Sequence, residues 1–149
     1  MSQYTHRLLE RSGVVKSHRD LDVWWKSLDL VDHIYEMTRS FPRWEDFGLR
    51  CQMTRAANSV PANIAEGAGR ATAKDFANFL VNARSSLMEL DSHLTVAARR
   101  SYIDEHTINF VMPLLNEVGK MLNGLRASIL RSAPKRQLTT SNEQLTTNN

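Results

Sequence analysis

Two carboxylate–histidine pairs, Asp29/His33 and Glu89/His93, come nearest to metal chemistry in this sequence. The members of each pair are four residues apart, so they share one face of a helix. A di-iron centre in a helical bundle needs Glu-x-x-His on facing helices, and that spacing does not occur. Isolated pairs of this kind are ordinarily solvated helix faces. His-Glu-x-x-His and the phosphate-cradling Gly-x-x-x-x-Gly-Lys are also absent. The run Glu66-Gly67-Ala68-Gly69-Arg70 reads as a turn after a helix, not as a phosphate loop after a strand. Cys51 is the single cysteine, which excludes an intramolecular disulfide or a cysteine-based zinc site. With no activating base near it in sequence, it is expected to be a buried or half-buried small residue. The residues thus predict no catalytic, cofactor-binding or metal-ligating set, and no enzyme.

A different pattern surrounds Pro61. From Leu49 to Ile64, Leu49, Met53, Ala56, Ala57, Val60 and Ile64 share one arc of a helical wheel. Arg55, Ser59, Asn63, Glu66 and Arg70 share a neighbouring arc, a polar stripe beside the apolar seam. Pro61 is expected to point away from both. It removes one backbone donor and costs about 3 kcal/mol in an ordinary helix interior, so a kink is expected there. Ser59 and Asn63 are short enough to satisfy backbone groups freed by the bend. Two roles remain open for the stripe. It stabilises a bent helix through Arg55–Ser59, Ser59–Asn63 and Asn63–Glu66 contacts, or it lines a subunit interface or polar channel.

The elements that must carry these residues are helical. Helix 1 is expected from about Asp20 to Ser40, with a seam of Leu21, Trp24, Leu28, Val31 and Tyr35, ended by Phe41-Pro42. Helix 2 is expected from near Trp44 to Glu66, with Gly67 and Gly69 as its stop signal. Helix 3 starts at Thr72, whose spacing to Asp75 resembles a capping box. Its seam is Phe76, Leu80, Ala83, Leu87, Leu90, Leu94 and Ala97, a coiled-coil-like repeat. Helix 4 follows Asp104 as N-cap, with Ile103 and Ile108 placed as a hydrophobic staple and a seam of Ile108, Val111, Leu115, Val118, Leu122, Leu125 and Ile129. No segment alternates with period two. The fold class is all-α: an antiparallel up-down-up-down four-helix bundle with its second helix kinked at Pro61.

The chain has 149 residues, enough for one domain with a real core, and 42% of them are hydrophobic. Residues 1–19 read as a mobile basic arm carrying one helical turn, 20–131 as the bundle, and 132–149 as a disordered polar tail in which QLTT occurs twice. No apolar run approaches a membrane span, and the first residues lack the apolar core of a signal peptide. A cytoplasmic protein with no membrane partner is expected. Trp25, Leu30 and Met37 on helix 1, and Phe110, Leu114 and Met121 on helix 4, exceed what one seam per helix requires. They point to a second buried surface and so to a homo-oligomer.

Net charge is +3, from 19 basic and 16 acidic residues. In an up-down bundle, Arg7, Arg11, Lys16, Arg19, Arg70, Lys74, Arg126, Arg131, Lys135 and Arg136 gather at one end, diluted by Glu10, Asp20, Asp22, Glu66 and Asp75. That end is a candidate for contact with RNA or DNA phosphates. The competing reading is complementation of the helix 4 dipole together with ordinary solubilising tails.

The run GLRCQMTRAANSVPANIAEGAGR, Gly48 to Arg70, resembles the signature of the four-helix-bundle proteins encoded by intervening sequences in bacterial 23S ribosomal RNA genes. DLDVWWKSLDLVDHIYEMTRSFP at 20–42 and DFANFLVNARSSLMELDSHLTVA at 75–97 support the resemblance, which spans about 20–131. It implies a short up-down bundle assembled as a homopentameric ring. It also implies kinship with accessory proteins of diversity-generating retroelements, which engage a reverse transcriptase and nucleic acid. The family has no established catalytic residues. Its pattern has glycine where Ser85 stands and serine where Cys51 stands. The function expected is a non-enzymatic, nucleic-acid-associated accessory factor, with RNA or DNA and a nucleic-acid-processing protein as partners. The alternative is a protein–protein interaction scaffold that binds no nucleic acid.

Overall fold

A computed structural model describes residues 15–134. Among these, four long helices and two 3-10 turns make up all the regular structure: α1 (Asp22–Thr38), α2 (Leu49–Ala68), α3 (Ala73–Arg99) and α4 (Glu105–Ser132). The turns span His18–Asp20 and Arg43–Glu45. Each helix packs on two neighbours, in the cycle α1–α2–α3–α4–α1, with α2–α3 the most extensive pair and α1–α4 the least. The result is a four-helix bundle around one apolar core.

Local chemistry sets most helix starts. The Thr72 hydroxyl accepts a hydrogen bond from the Asp75 amide at 3.1 Å and donates one to the Asp75 carboxylate at 2.8 Å. The second bond replaces the backbone bond of a full capping box. Asp104 caps α4 by accepting from the Thr107 amide at 2.8 Å. Bonds from Thr107 hold the Asp104 carboxyl below its ordinary pKa. Ser17 caps the first 3-10 turn, with Asp20 completing its capping box. At the other end of α3, Ser101 takes a left-handed conformation, φ 59°. Its amide bonds the Ala98 carbonyl, and the Tyr102 amide reaches back to the Ala97 carbonyl at 2.9 Å. This Schellman-type ending turns the chain into α4.

The core confirms three of the expected seams and corrects the fourth. In α3, Leu80, Ala83, Leu87, Leu90, Leu94 and Ala97 are buried, with Phe76 half-buried. In α4, Val111, Leu115, Val118 and Leu122 are buried, while Ile108, Leu125 and Ile129 pack at the core's edge. In α1 the buried face is Val23, Ser27, Leu30, Val31, Ile34, Met37 and Thr38, continued by Phe41. Trp24 and Leu28 are half-buried, and Tyr35 is exposed. Leu30 and Met37 are therefore core residues, not surplus apolar surface. The hidden seam contains two polar residues that satisfy themselves. Ser27 donates to the Trp24 carbonyl at 2.6 Å, and Thr38 to that of Ile34 at 2.8 Å. Each buried Leu or Ile contributes on the order of 1.5–3 kcal/mol.

Three expectations about α2 change. It begins at Leu49, after Gly48, and Trp44 belongs to the preceding 3-10 turn. Pro61 is buried and lies on the core arc, because it follows Ala57 by four residues and precedes Ile64 by three. The helix runs through Pro61 without interruption. Gly67 is not a stop signal: it lies inside α2 and is buried, and Gly69 is the cap. A Cβ on Gly67 would sit 2.7 Å from the Phe79 Cβ and 2.8 Å from the Phe76 Cδ2. The glycine is there so that α2 and α3 can approach. In α4, Pro113 also lies within a continuous helix.

Gly67→Ala should destabilise the fold by about 1–3 kcal/mol through overpacking. Gly124→Ala, where an added Cβ meets nothing within 4 Å, should be neutral or stabilise by up to about 1 kcal/mol. Urea denaturation of both variants checks this, and equal midpoints would contradict it.

Asp104 has a lowered folded-state pKa, so its contribution is present above the ordinary carboxylate range and lost as pH falls through the lowered value. Asp104→Asn keeps an acceptor but cannot titrate. The melting temperature of the wild type should exceed that of this variant near neutrality, and the gap should narrow as the pH is taken below the ordinary carboxylate range. Circular dichroism melts at the two pH values measure it.

Candidate functional site

The polar stripe lies where α2 meets α3. Ser59 and Asn63 are half-buried. The Asn63 side-chain amide donates to the Ser59 carbonyl at 2.8 Å and to the Ser59 hydroxyl at 3.0 Å. The Ser86 hydroxyl on α3 bonds the Ser59 hydroxyl at 2.9 Å. Ser59 is thus the node of a small network linking two helices. Glu66 and Arg70 are exposed and form an ion pair with each other. The Arg70 guanidinium lies 4.5 Å from the centre of the Phe79 ring, a cation–π contact across the same helix pair.

Of the three stripe contacts expected from spacing, Ser59–Asn63 forms. Glu66 is taken by Arg70, and Arg55 is exposed. Asn63 serves the Ser59 carbonyl, one turn earlier in its own helix. Ser86 gave no signal in the sequence, because a serine facing a neighbouring helix looks the same as one facing water. Cys51 is exposed, which corrects the buried or half-buried expectation. Ser85, where the family pattern has glycine, is also exposed.

Four of the described lysines and arginines are held in ion pairs. Lys26, Arg39, Arg50 and Arg70 pair with Glu117, Glu36, Asp46 and Glu66. Lys16, Lys74, Arg126 and Arg131 are exposed and form no ion pair among the described residues, as is also true of Arg43, Arg55, Arg84, Arg99, Arg100 and Lys120, and Arg19 lies 5.5 Å from the centre of the Trp24 ring. Arg7, Arg11, Lys135 and Arg136 lie outside the described residues, as do most of the N-terminal arm and the C-terminal tail.

The carboxylate–histidine pairs behave differently from one another. Glu89 and His93 meet at 3.4 Å. His33 stands edge-on to Phe110, ring centres 5.0 Å apart. Among the described residues no three His, Cys, Asp or Glu side chains cluster as metal ligands, and no helix is long and apolar enough to cross a membrane.

Fold and surface together define a helical-bundle protein with a hydrogen-bonded polar node between two helices and a set of unpaired cations. The chain belongs to the family described as 23S rRNA-intervening sequence protein, which matches residues 19–124. Among solved structures it is similar to a protein of unknown function from the S23 ribosomal protein family of Bacteroides thetaiotaomicron. That similarity has a TM-score of 0.63 at 25% identity and covers 70% of this chain and 97% of the other. No curated protein matches.

Asn63→Leu removes both bonds to Ser59, whereas Asn78 is exposed. At about 1 kcal/mol for each hydrogen bond removed, Asn63→Leu should lower stability by about 1–2 kcal/mol more than Asn78→Leu. Thermal melts and the native mass of each variant test this; equal values for both would contradict it.

Proposed function

We propose that the protein is a non-enzymatic, self-associating helical bundle that acts as an accessory factor on nucleic acid, with RNA the first candidate. The observation carrying this reading is the position of Lys16, Lys74, Arg126 and Arg131, exposed cations without an ion pair among the described residues that stand just before α1, at the start of α3 and in the last two turns of α4. Membership of the 23S rRNA-intervening sequence family supports the link to RNA.

The reading includes an antiparallel up-down-up-down course and a bend of α2 at Pro61. The course is supported by paired contacts. Lys26 meets Glu117 and His33 meets Phe110, so numbers rise along α1 as they fall along α4. Gly67 faces Phe79 and Ser59 bonds Ser86, the same relation between α2 and α3. On that course the start of α1, the α2–α3 turn and the end of α4 share one end of the bundle. Arg7, Arg11, Lys135 and Arg136 then belong to the chain segments attached at this end. A ring of subunits, a homopentamer by the family resemblance, repeats the basic end around a rim suited to phosphate contact. Such binding reads the backbone and not base edges, so it has little sequence preference. The reading assigns the protein to the cytoplasm, with a nucleic-acid-processing protein as a further partner.

The alternative is a scaffold that meets only proteins. It is favoured by the exposed aromatics Trp44 and Phe47, which lie away from the unpaired cations of α3 and α4 in sequence.

Titrating structured RNA at several salt concentrations tests the first reading. Log affinity should fall linearly with log salt. Lys74→Glu combined with Arg126→Glu should weaken binding and flatten the slope. The change should be about 0.7 for each phosphate no longer neutralised on a single strand, or about 0.9 on a duplex like that of B-DNA. No binding even at low ionic strength would remove nucleic acid from the function and leave the scaffold.

A further inference from the structure

Phe47 is 98% exposed and Trp44 is 78% exposed, the two most exposed large apolar side chains among the described residues. They sit on the connection between α1 and α2. A bare phenyl ring in water is ordinary on a loose loop, but this connection is held on both sides of Phe47. One Glu45 carboxylate oxygen accepts from the Leu49 amide at 2.8 Å, capping α2. The other accepts from the Tyr102 hydroxyl at 3.1 Å, tying the connection to the α3–α4 turn. The Trp44 indole N–H donates to the same Tyr102 oxygen at 3.4 Å. Asp46 pairs with Arg50. At Gly48 an added Cβ would lie 2.5 Å from a Glu45 carboxylate oxygen, so a side chain here would push the capping carboxylate aside. The connection therefore presents Phe47 to solvent as a fixed projection.

The same region carries a hollow. A groove of about 450 Å³ opens between the end of α1 and the start of α4, lined by Met37, Tyr102, Ile103, Phe110 and Val111, with His33 at Phe110. Its volume is in the range that takes a drug-sized ligand, ample for one aromatic ring. Phe47 does not line it. Tyr102 does, while also holding the connection that carries Phe47. One tyrosine thus both lines the groove and ties down the connection that carries Phe47.

We propose that Phe47 anchors self-association by entering the α1–α4 groove of a second copy of this chain, a head-to-tail contact. This rests on the self-association in the reading above and names the surface responsible. Charge favours a second copy as the occupant. The segments around projection and groove carry Arg39, Arg43, Arg50, Arg99 and Arg100 against Glu36, Glu45, Asp46, Asp104 and Glu105. Two such surfaces meet without net repulsion, and the groove's own lining carries the carboxylates Glu36 and Asp104, which disfavour a polyanion there. The proposed contact joins projection to groove and is heterologous, and it closes into a ring where the rotation between successive copies closes. A phenylalanine buries about 150–250 Å², while a stable interface buries about 800 Å² per partner. Phe47 is therefore the central anchor, with Trp44 and the exposed rim residue Phe110 completing the patch.

The test measures native mass by light scattering for the wild type, Phe47→Ser, Phe110→Lys and an equimolar mixture of the two variants, with circular dichroism to verify that each is folded. Phe47→Ser replaces a fully exposed residue, so the fold should persist. The proposal expects an oligomeric wild type, each variant alone shifted to the single-chain mass, and the mixture forming pairs, because one variant keeps its groove and the other its projection. A wild type at single-chain mass removes both self-association and this contact. An oligomeric wild type with Phe47→Ser unchanged in mass overturns the contact alone. Variants that dissociate but form no pairs on mixing overturn the head-to-tail geometry.

Discussion

The close approach of α2 and α3 is the constraint on which the rest of the molecule depends. It is the largest helix–helix contact in the fold. Gly67 on α2, and small core residues such as Ala57 on α2 and Ala83 on α3, leave room for it. Close helices bring small polar side chains within bonding distance, so Ser59 and Ser86 meet at 2.9 Å with Asn63 behind them. The same approach sets the Arg70 guanidinium over Phe79. One steric allowance therefore produces the buried seam, the polar node and the cation–π contact together.

At the opposite corner, α1 and α4 touch least. Longer side chains hold them apart: Lys26 reaches Glu117 at 3.3 Å, and His33 meets Phe110 edge-on. A tight pair on one side and a looser pair on the other leave a groove at the end of α1 and the start of α4. The molecule is thus asymmetric around its core, and its exposed aromatic residues and open groove lie away from its most tightly packed helix pair. That distribution suits a subunit whose core is complete in one chain and whose loose side is available to another.

The chemical inventory is consistent with this division. Five arginines and five carboxylates flank the projection and groove in equal number, while Lys16, Lys74, Arg126 and Arg131 stand at the other end of the bundle's course without ion pairs among the described residues. A balanced surface suits contact between like chains, and unpaired exposed cations suit a polyanion, at low cost because they remain hydrated. The proposed nucleic-acid contact and the proposed self-association would therefore draw on different residues, and mutation would separate them.

Much of this architecture is legible without coordinates, and what is legible is local or periodic. Thr72 and Asp104 cap helices because each sits three residues before the amide it bonds. The seams of α3 and α4 repeat without polar interruption, so their phase is unambiguous. Only the tertiary structure decided the rest. The phase of α1 was hidden because Ser27 and Thr38 are polar in type yet bond their own helix, and so tolerate burial. Gly67 carries the same symbol as a helix stop, and only a neighbouring helix at contact distance makes it a packing residue. Ser86 joins the node, and Leu30 the core, for the same reason: periodicity states which residues share a face, but the partner across that face is chosen by how four helices fit together.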